Sequence, residues 1–192
     1  MAMAEYALDN LGFDRILFIP AYKPPHKSYD DNMSMHRLEM VKLATQNNSK
    51  FEVSDIEFKR EGKSYTYLTV LEILKNLYDY KSPKQVRDDR LLTNLEKISF
   101  IIGTDAFEKI ETWYETDKLK KLIDFIVFVR ENETVNLDYL KEKGYNFQFS
   151  KMKFLDISST ELRNRIKNNE PIKDLVTKEV EEYIYKNGLY GN

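Results

Sequence analysis

The sequence predicts an α/β fold built on a mostly parallel sheet, and three observations carry that prediction. Short apolar runs, RILFIP (15–20), KISFIIG (97–103) and DFIVFV (124–129), are rich in Ile, Val and Phe and do not alternate with polar residues. Strands buried on both faces read this way, and they belong to parallel sheets. Segments with helical spacing lie between them, and strand–helix alternation is the signature of βαβ units with right-handed crossovers. The length of 192 residues suits one domain with a sizeable core. With no internal repeat in view, residues 1–192 are expected to form a single domain.

The elements follow in order. MAMAEYALDNLG opens with Ala, Leu and Met at helical spacing, no capping residue at its start, and Gly12 as a stop. RILFIP is the first strand. SMHRLEMVKLATQN (34–47) puts Met35, Leu38, Val41 and Leu43 near one helix face. FEVSDIEF (51–58) alternates and reads as a half-exposed or edge strand. SYTYLTVLEILKNLY (64–78) carries Leu68, Leu71, Leu74 and Leu77 on one stripe. DYKSPKQVRDDRLLTNLEK (79–97) is polar, contains Pro83 and has no period, so an insertion or long loop is expected there. KISFIIG and DFIVFV are the next strands, and KMKFLD (151–156) is a weaker one. TKEVEEYIYKNGLYGN reads as a helix stopped by Gly188.

Charge and composition narrow the function classes. Thirty Lys and Arg against 32 Asp and Glu leave a net charge of −2, with no whole-chain attraction to nucleic acid or to a membrane surface. A local cationic cluster can still meet an anionic ligand. The absence of cysteine excludes disulfides, thiolate metal sites and a Cys nucleophile, and is compatible with the cytoplasm. No apolar run approaches the ~18 residues of a membrane span, and the first residues lack the pattern of a secretory signal.

Four stretches carry residue types suited to chemistry. In DISSTELRNRIK (156–167), Ser158 and Glu161 have the spacing of a capping box, with Ser159 and Thr160 in the first turn. Helix N-termini offer free N–H groups and a positive dipole end to phosphate. Arg163, one turn on, could reach the same anion; a plain cap with a solvated Arg is the other reading. In FIIGTDAFEKIETWY (100–114), Gly103 ends a buried strand and Asp105 follows, at the edge where parallel sheets bind ligands. A tight turn with Asp105 capping the next helix would look the same. Trp113 could stack on a flat heterocycle or simply fill a groove. PAYKPPHK (20–27) is a proline-stiffened loop presenting Lys23, His26 and Lys27, either to an anion or to solvent. His26 has only His36 as a histidine partner and no carboxylate cluster at zinc spacing, so no metal site is expected. In EGKSYTYLTV (61–70), Ser64, Tyr65 and Thr66 stand at the start of a helix, where N–H groups could receive a small carboxylate or serve an ordinary cap.

The ordered set PAYKPPHK, HRLEM, EGKSYTYLTV, FIIGTDAFEKIETWY, DISSTELR and YIYKNGLY resembles bacterial nicotinate-nucleotide adenylyltransferase, a nucleotidyltransferase of the HIGH superfamily. The resemblance spans nearly the whole chain apart from 79–97. It implies a Rossmann-like sheet and the transfer of an adenylyl group from ATP to nicotinate mononucleotide, giving deamido-NAD and pyrophosphate with Mg²⁺ assisting. It further implies that Ser158, Ser159, Thr160 and Arg163 bind the triphosphate, and that Gly103 and Asp105 contact the nucleoside side of ATP. Lys27 and His26 would sit near the phosphates, and Arg130 near the adenine. Trp113 would stack on the pyridine ring, with Tyr65, Thr66 and Tyr114 at the mononucleotide. A related enzyme using another phosphate acceptor, such as phosphopantetheine, and a non-catalytic nucleotide-binding protein are the alternatives. A homo-oligomer is left open.

One departure stands out. The resembled family opens with a buried strand, a Gly-rich turn and an H-x-G-H pair, and this sequence has none of them; His26 and His36 lack that spacing. The expected fold therefore lacks its first strand, no catalytic residue is assigned, and these residues by themselves are expected to show little transfer and poor stability.

Overall fold

The computed structural model describes residues 1–25, 31–81, 98–130, 135–152 and 158–191. The described strands are all paired in parallel, as the apolar runs predict. They form two sheets, and the chain divides into two compact units, residues 1–62 with 154–192 and residues 63–153.

The first unit begins with α1 (Ala2–Asn10), which buries Ala4, Ala7 and Leu8. It ends as expected before Gly12, whose φ of +74° continues the chain in a conformation that favours glycine. β1 (Ile16–Phe18) pairs in parallel with β2 (Phe51–Val53), Ile16 opposite Phe51. Phe18 and Phe51 meet edge to face at 5.1 Å. β2 is shorter than the alternation of 51–58 suggests, because Ile56–Phe58 winds into a single tight turn that buries Ile56.

Between the strands, α2 (Asp31–Thr45) presents a different face from the one its spacing implies. Leu38 is buried and Leu43 packs on the core as the spacing implies, but Met35 is 56% exposed, and Met33, Met40 and Ala44 pack on the core beside Leu43. That core is supplied by Ile166 of α7 (Ser159–Lys167), Val180 and Ile184 of α8 (Lys178–Lys186), and Ile172 and Leu189 from the segments that follow each helix. Thr177 caps α8 by accepting from the Val180 N–H at 3.4 Å, and Gly188 follows its end at φ +59°.

The second unit starts with α3 (Thr66–Lys81), which runs three residues into the stretch read as an insertion; residues 82–97 lie outside the described residues. Thr69, Val70 and Leu74 are its buried residues among those described, while Leu77 is 51% exposed, so the buried face is rotated from the leucine stripe. β3 (Ile98–Gly103), β4 (Ile123–Arg130) and β5 (Phe147–Met152) form a parallel sheet in that order. α4 (Thr104–Phe107), α5 (Thr116–Leu122) and α6 (Asp138–Glu142) connect them. β5 begins four residues before the KMKFLD run, and 153–157 lie outside the described residues.

β4 explains why DFIVFV reads as it does. Phe125, Ile126, Val127, Phe128 and Val129 are each 3% exposed or less, so both faces are covered. Each such side chain contributes about 1.5–3 kcal/mol of burial. Phe107 is fully buried, with ring centroids of Phe125 and Phe147 each 5.0 Å away.

Candidate active site

The sequence-derived candidates fall in both units. In the first, Ser158 is the N-cap of α7, and its Oγ accepts from the Glu161 N–H at 3.0 Å. That leaves the Ser158 hydroxyl proton available to donate. The Glu161 carboxylate takes the Arg165 guanidinium at 2.8 Å, an i,i+4 pair. Arg163 turns back along the helix and donates to Thr160 Oγ1 at 3.3 Å. Hydroxyls, first-turn N–H groups and a guanidinium thus converge at one helix end, which is a suitable arrangement for a phosphate chain.

The PAYKPPHK loop leaves the carboxyl end of β1. Its His26 and Lys27 lie outside the described residues. Its first half is held by α2, through two residues the sequence reading passes over. Arg37 Nη2 donates to the carbonyl of Ala21 at 2.8 Å and to Ser34 Oγ at 2.8 Å. Fully buried Ser34 donates in turn to the carbonyl of Tyr22 at 2.8 Å. An open cavity of about 480 Å³ follows, lined by Tyr22, Lys23, Phe58 and the turn 59–62. Tyr22 and Phe58 are 4.9 Å apart, and the Lys23 ammonium sits 5.2 Å from the Tyr22 ring centre.

Near the end of the chain, burial raises the Tyr190 phenol above its ordinary value, against the opposing charges of Arg163 and Arg37. His36 packs against the C-terminal helix. Its Nδ1 is 2.9 Å from the Tyr183 hydroxyl, joining α2 to α8.

In the second unit, Gly103 is the last residue of β3 and the N-cap of α4, with Asp105 inside the first turn. Asp105 is therefore not the cap but an acidic residue of the first turn. A Cβ at Gly103 would meet nothing within 4 Å among the described residues. Arg130 ends the neighbouring strand, two residues beyond Phe128, the partner of Gly103. These residues share the carboxyl edge of the sheet.

The mononucleotide candidates come together. Tyr65 immediately precedes α3 and stacks on Tyr114, with centroids 4.5 Å apart and an interplanar angle of 29°. Thr66 is the first residue of α3, next to that stack. Trp113 is half-buried, edge-on to Phe100 at 6.0 Å. Tyr114 is 47% exposed.

Two supports escape sequence reading. Lys143 grips both oxygens of Glu111 at 2.7 and 2.8 Å, bracing the turn before Trp113, and the Glu111 carboxylate raises the Lys143 ammonium. Glu115 holds a left-handed backbone at φ 54°, ψ 37°, rare for a residue with a side chain.

Among the described residues, no group of three or more His, Asp or Glu could hold a metal ion. No described helix is long and apolar enough to cross a membrane.

Comparison with known proteins points the same way as the residues. Residues 1–165 match the cytidylyltransferase-like family. The nicotinate-nucleotide adenylyltransferase of Bacillus subtilis (strain 168) is 37% identical over 191 residues, covering 99% of this chain and 89% of that protein. Among solved structures, Plasmodium falciparum nicotinic acid mononucleotide adenylyltransferase complexed with NaAD superposes with a TM-score of 0.71 at 21% identity, over 98% of this chain and 88% of that one. The same Plasmodium enzyme complexed with APC gives 0.66 at 20% identity, over 98% and 89%. At those identities the structural likeness speaks for the fold. The sequence relationship speaks for more, since it runs through nearly the whole chain: the protein belongs to the nicotinate-nucleotide adenylyltransferase family.

Proposed function

We propose that this chain transfers the adenylyl group of ATP to nicotinate mononucleotide, giving deamido-NAD and pyrophosphate in NAD biosynthesis. The observation that carries the substrate choice is the Tyr65–Tyr114 stack at 4.5 Å. It draws two distant stretches of chain into one aromatic wall beside Trp113 and the first turn of α3. Flat rings suit a pyridine, and first-turn N–H groups of α3 suit its carboxylate. Phosphopantetheine, a flexible acceptor, makes no use of such a wall. The names of the Bacillus subtilis relative and of the Plasmodium enzyme bound to NaAD support the same reading.

The chemistry asks for positioning and charge stabilisation. A mononucleotide phosphate oxygen forms a bond to the α-phosphorus of ATP while the bond from that phosphorus to the bridging oxygen breaks. Pyrophosphate then leaves with the electron pair. Ser158, Ser159, Thr160 and Arg163 hold the triphosphate and offset the charge of the leaving group. Gly103 and Asp105 receive the nucleoside side of ATP, with Arg130 toward the adenine. The family resemblance assigns Lys27, with His26, to the phosphates. Mg²⁺ enters as the Mg–ATP substrate, held by phosphate oxygens and needing no protein cage. A reaction fed by ATP suits the cytoplasm.

Two measurements on the same preparation test this. Trp113, the only tryptophan, should respond in fluorescence to nicotinate mononucleotide more strongly than to nicotinamide mononucleotide. Pyrophosphate release should require ATP, Mg²⁺ and the mononucleotide together. A chain that neither binds the mononucleotide nor releases pyrophosphate refutes the assignment.

A further inference from the structure

We infer that Tyr65 is a positioning residue for substrate recognition: by stacking on Tyr114 it fixes the Trp113–Tyr114 segment against the start of α3. The inference rests on the proposed mononucleotide site and assigns the part that keeps its aromatic wall in one geometry.

The segment is held from several directions. Upstream, Trp113 closes the turn Ile110–Thr112 through its N–H to the Ile110 carbonyl at 3.0 Å, and Lys143 pins that turn through Glu111. The indole meets Phe100 edge-on and packs on the core. Downstream, the chain turns at once through the left-handed Glu115, whose carboxylate holds Lys118 at 3.0 Å in the first turn of α5. A left-handed non-glycine residue persists where the surroundings over-determine it, and such residues gather at functional sites.

Between these anchors Tyr114 is 47% exposed, far too open to be held by burial alone. Its ordering contact is the Tyr65 ring at 4.5 Å, with Tyr67 more distant at 6.4 Å. Tyr65 itself is tied to the helix, since its carbonyl accepts from the Thr69 N–H at 3.2 Å. The two rings therefore couple the Trp113–Tyr114 backbone to the helix end that carries Thr66. Losing the stack should free Tyr114 and loosen Trp113 while leaving the α7 phosphate end untouched.

Single-tryptophan fluorescence reads this without turnover. In the ligand-free protein, Tyr65→Leu should increase acrylamide quenching of Trp113, and Tyr65→Phe should match the parent. Nicotinate mononucleotide should bind Tyr65→Leu roughly two- to tenfold more weakly, the range expected for one aromatic pair. ATP affinity should stay the same, which a general loss of folding would not allow. In a Tyr114→Leu background, Tyr65→Leu should add no further loss. Equal quenching and equal mononucleotide affinity in parent and Tyr65→Leu overturn the inference while leaving the proposed reaction standing. So does a Tyr65→Leu defect that persists in full without Tyr114. A parent chain whose fluorescence ignores the mononucleotide refutes the proposed site and this inference with it.

Discussion

Arg37 Nη2 lies 2.8 Å from the carbonyl oxygen of Ala21, so a helix side chain fixes the backbone of the loop that leaves β1. The same nitrogen reaches Ser34 Oγ, which serves the next carbonyl. Replacing Arg37 by Ala strips donors from the half-buried Ala21 carbonyl and the buried Ser34 hydroxyl, at a cost of about 1–3 kcal/mol. Urea denaturation should show that loss. Hydrogen exchange should show faster amides at 21–23, with β2 unchanged. Arg37→Lys should recover only part, because an ammonium lacks the planar fork.

Ser158 separates capping from phosphate binding. Ser158→Ala loses the bond to the Glu161 N–H and should cost about 0.5–2 kcal/mol. Ser158→Asp preserves a good cap but places a negative charge where the triphosphate would lie. Stability should stay near the parent, while ATP affinity falls at least about tenfold. An Asp variant that binds ATP normally removes α7 from the site.

Phe107 is the test of the second unit's core. Fully buried among Phe125, Tyr145 and Phe147, it should lose about 3–5 kcal/mol on change to Ala. Calorimetry should place this well above any single surface change. A loss below about 1 kcal/mol would mean the aromatic cluster is not the centre of that unit.

Tyr190 makes stability pH-dependent on the alkaline side. Burial raises its phenol above the ordinary value of 10.0, so the folded state keeps a proton that the unfolded chain releases. The contribution is complete below about pH 10 and is lost as pH rises through the folded value. Lysines also titrate there, so the measurement is a difference: Tyr190→Phe should show a shallower loss of stability between about pH 9.5 and 11 than the parent.

How much of this was readable beforehand depended on range along the chain. β4 announced itself because burial on both faces leaves an unbroken apolar run. Ser158 did so because a cap needs only its neighbours three residues on. Met35 and Leu77 misled, because spacing gives a stripe but tertiary packing chooses the face. The clamp of Arg37 on Ala21, the grip of Lys143 on Glu111 and the stack of Tyr65 on Tyr114 join residues distant in sequence. No local pattern encodes them. The left-handed Glu115 is equally silent, since the residue type there argues against its conformation.

The order of the two units along the chain has a consequence for biosynthesis. The second unit is one continuous stretch, 63–153, whereas the first is assembled from both sides of it. The core around α2 needs α8, and the His36–Tyr183 bond closes only when residue 183 has been made. A ribosome adding about 5–20 residues per second leaves the first sixty residues waiting several seconds or more for their partners. Meanwhile the second unit can complete itself. Met33 and Met40, which pack on that core, wait without it over that interval. Pulse-labelled exchange on stalled nascent chains should find β4 protected before α2.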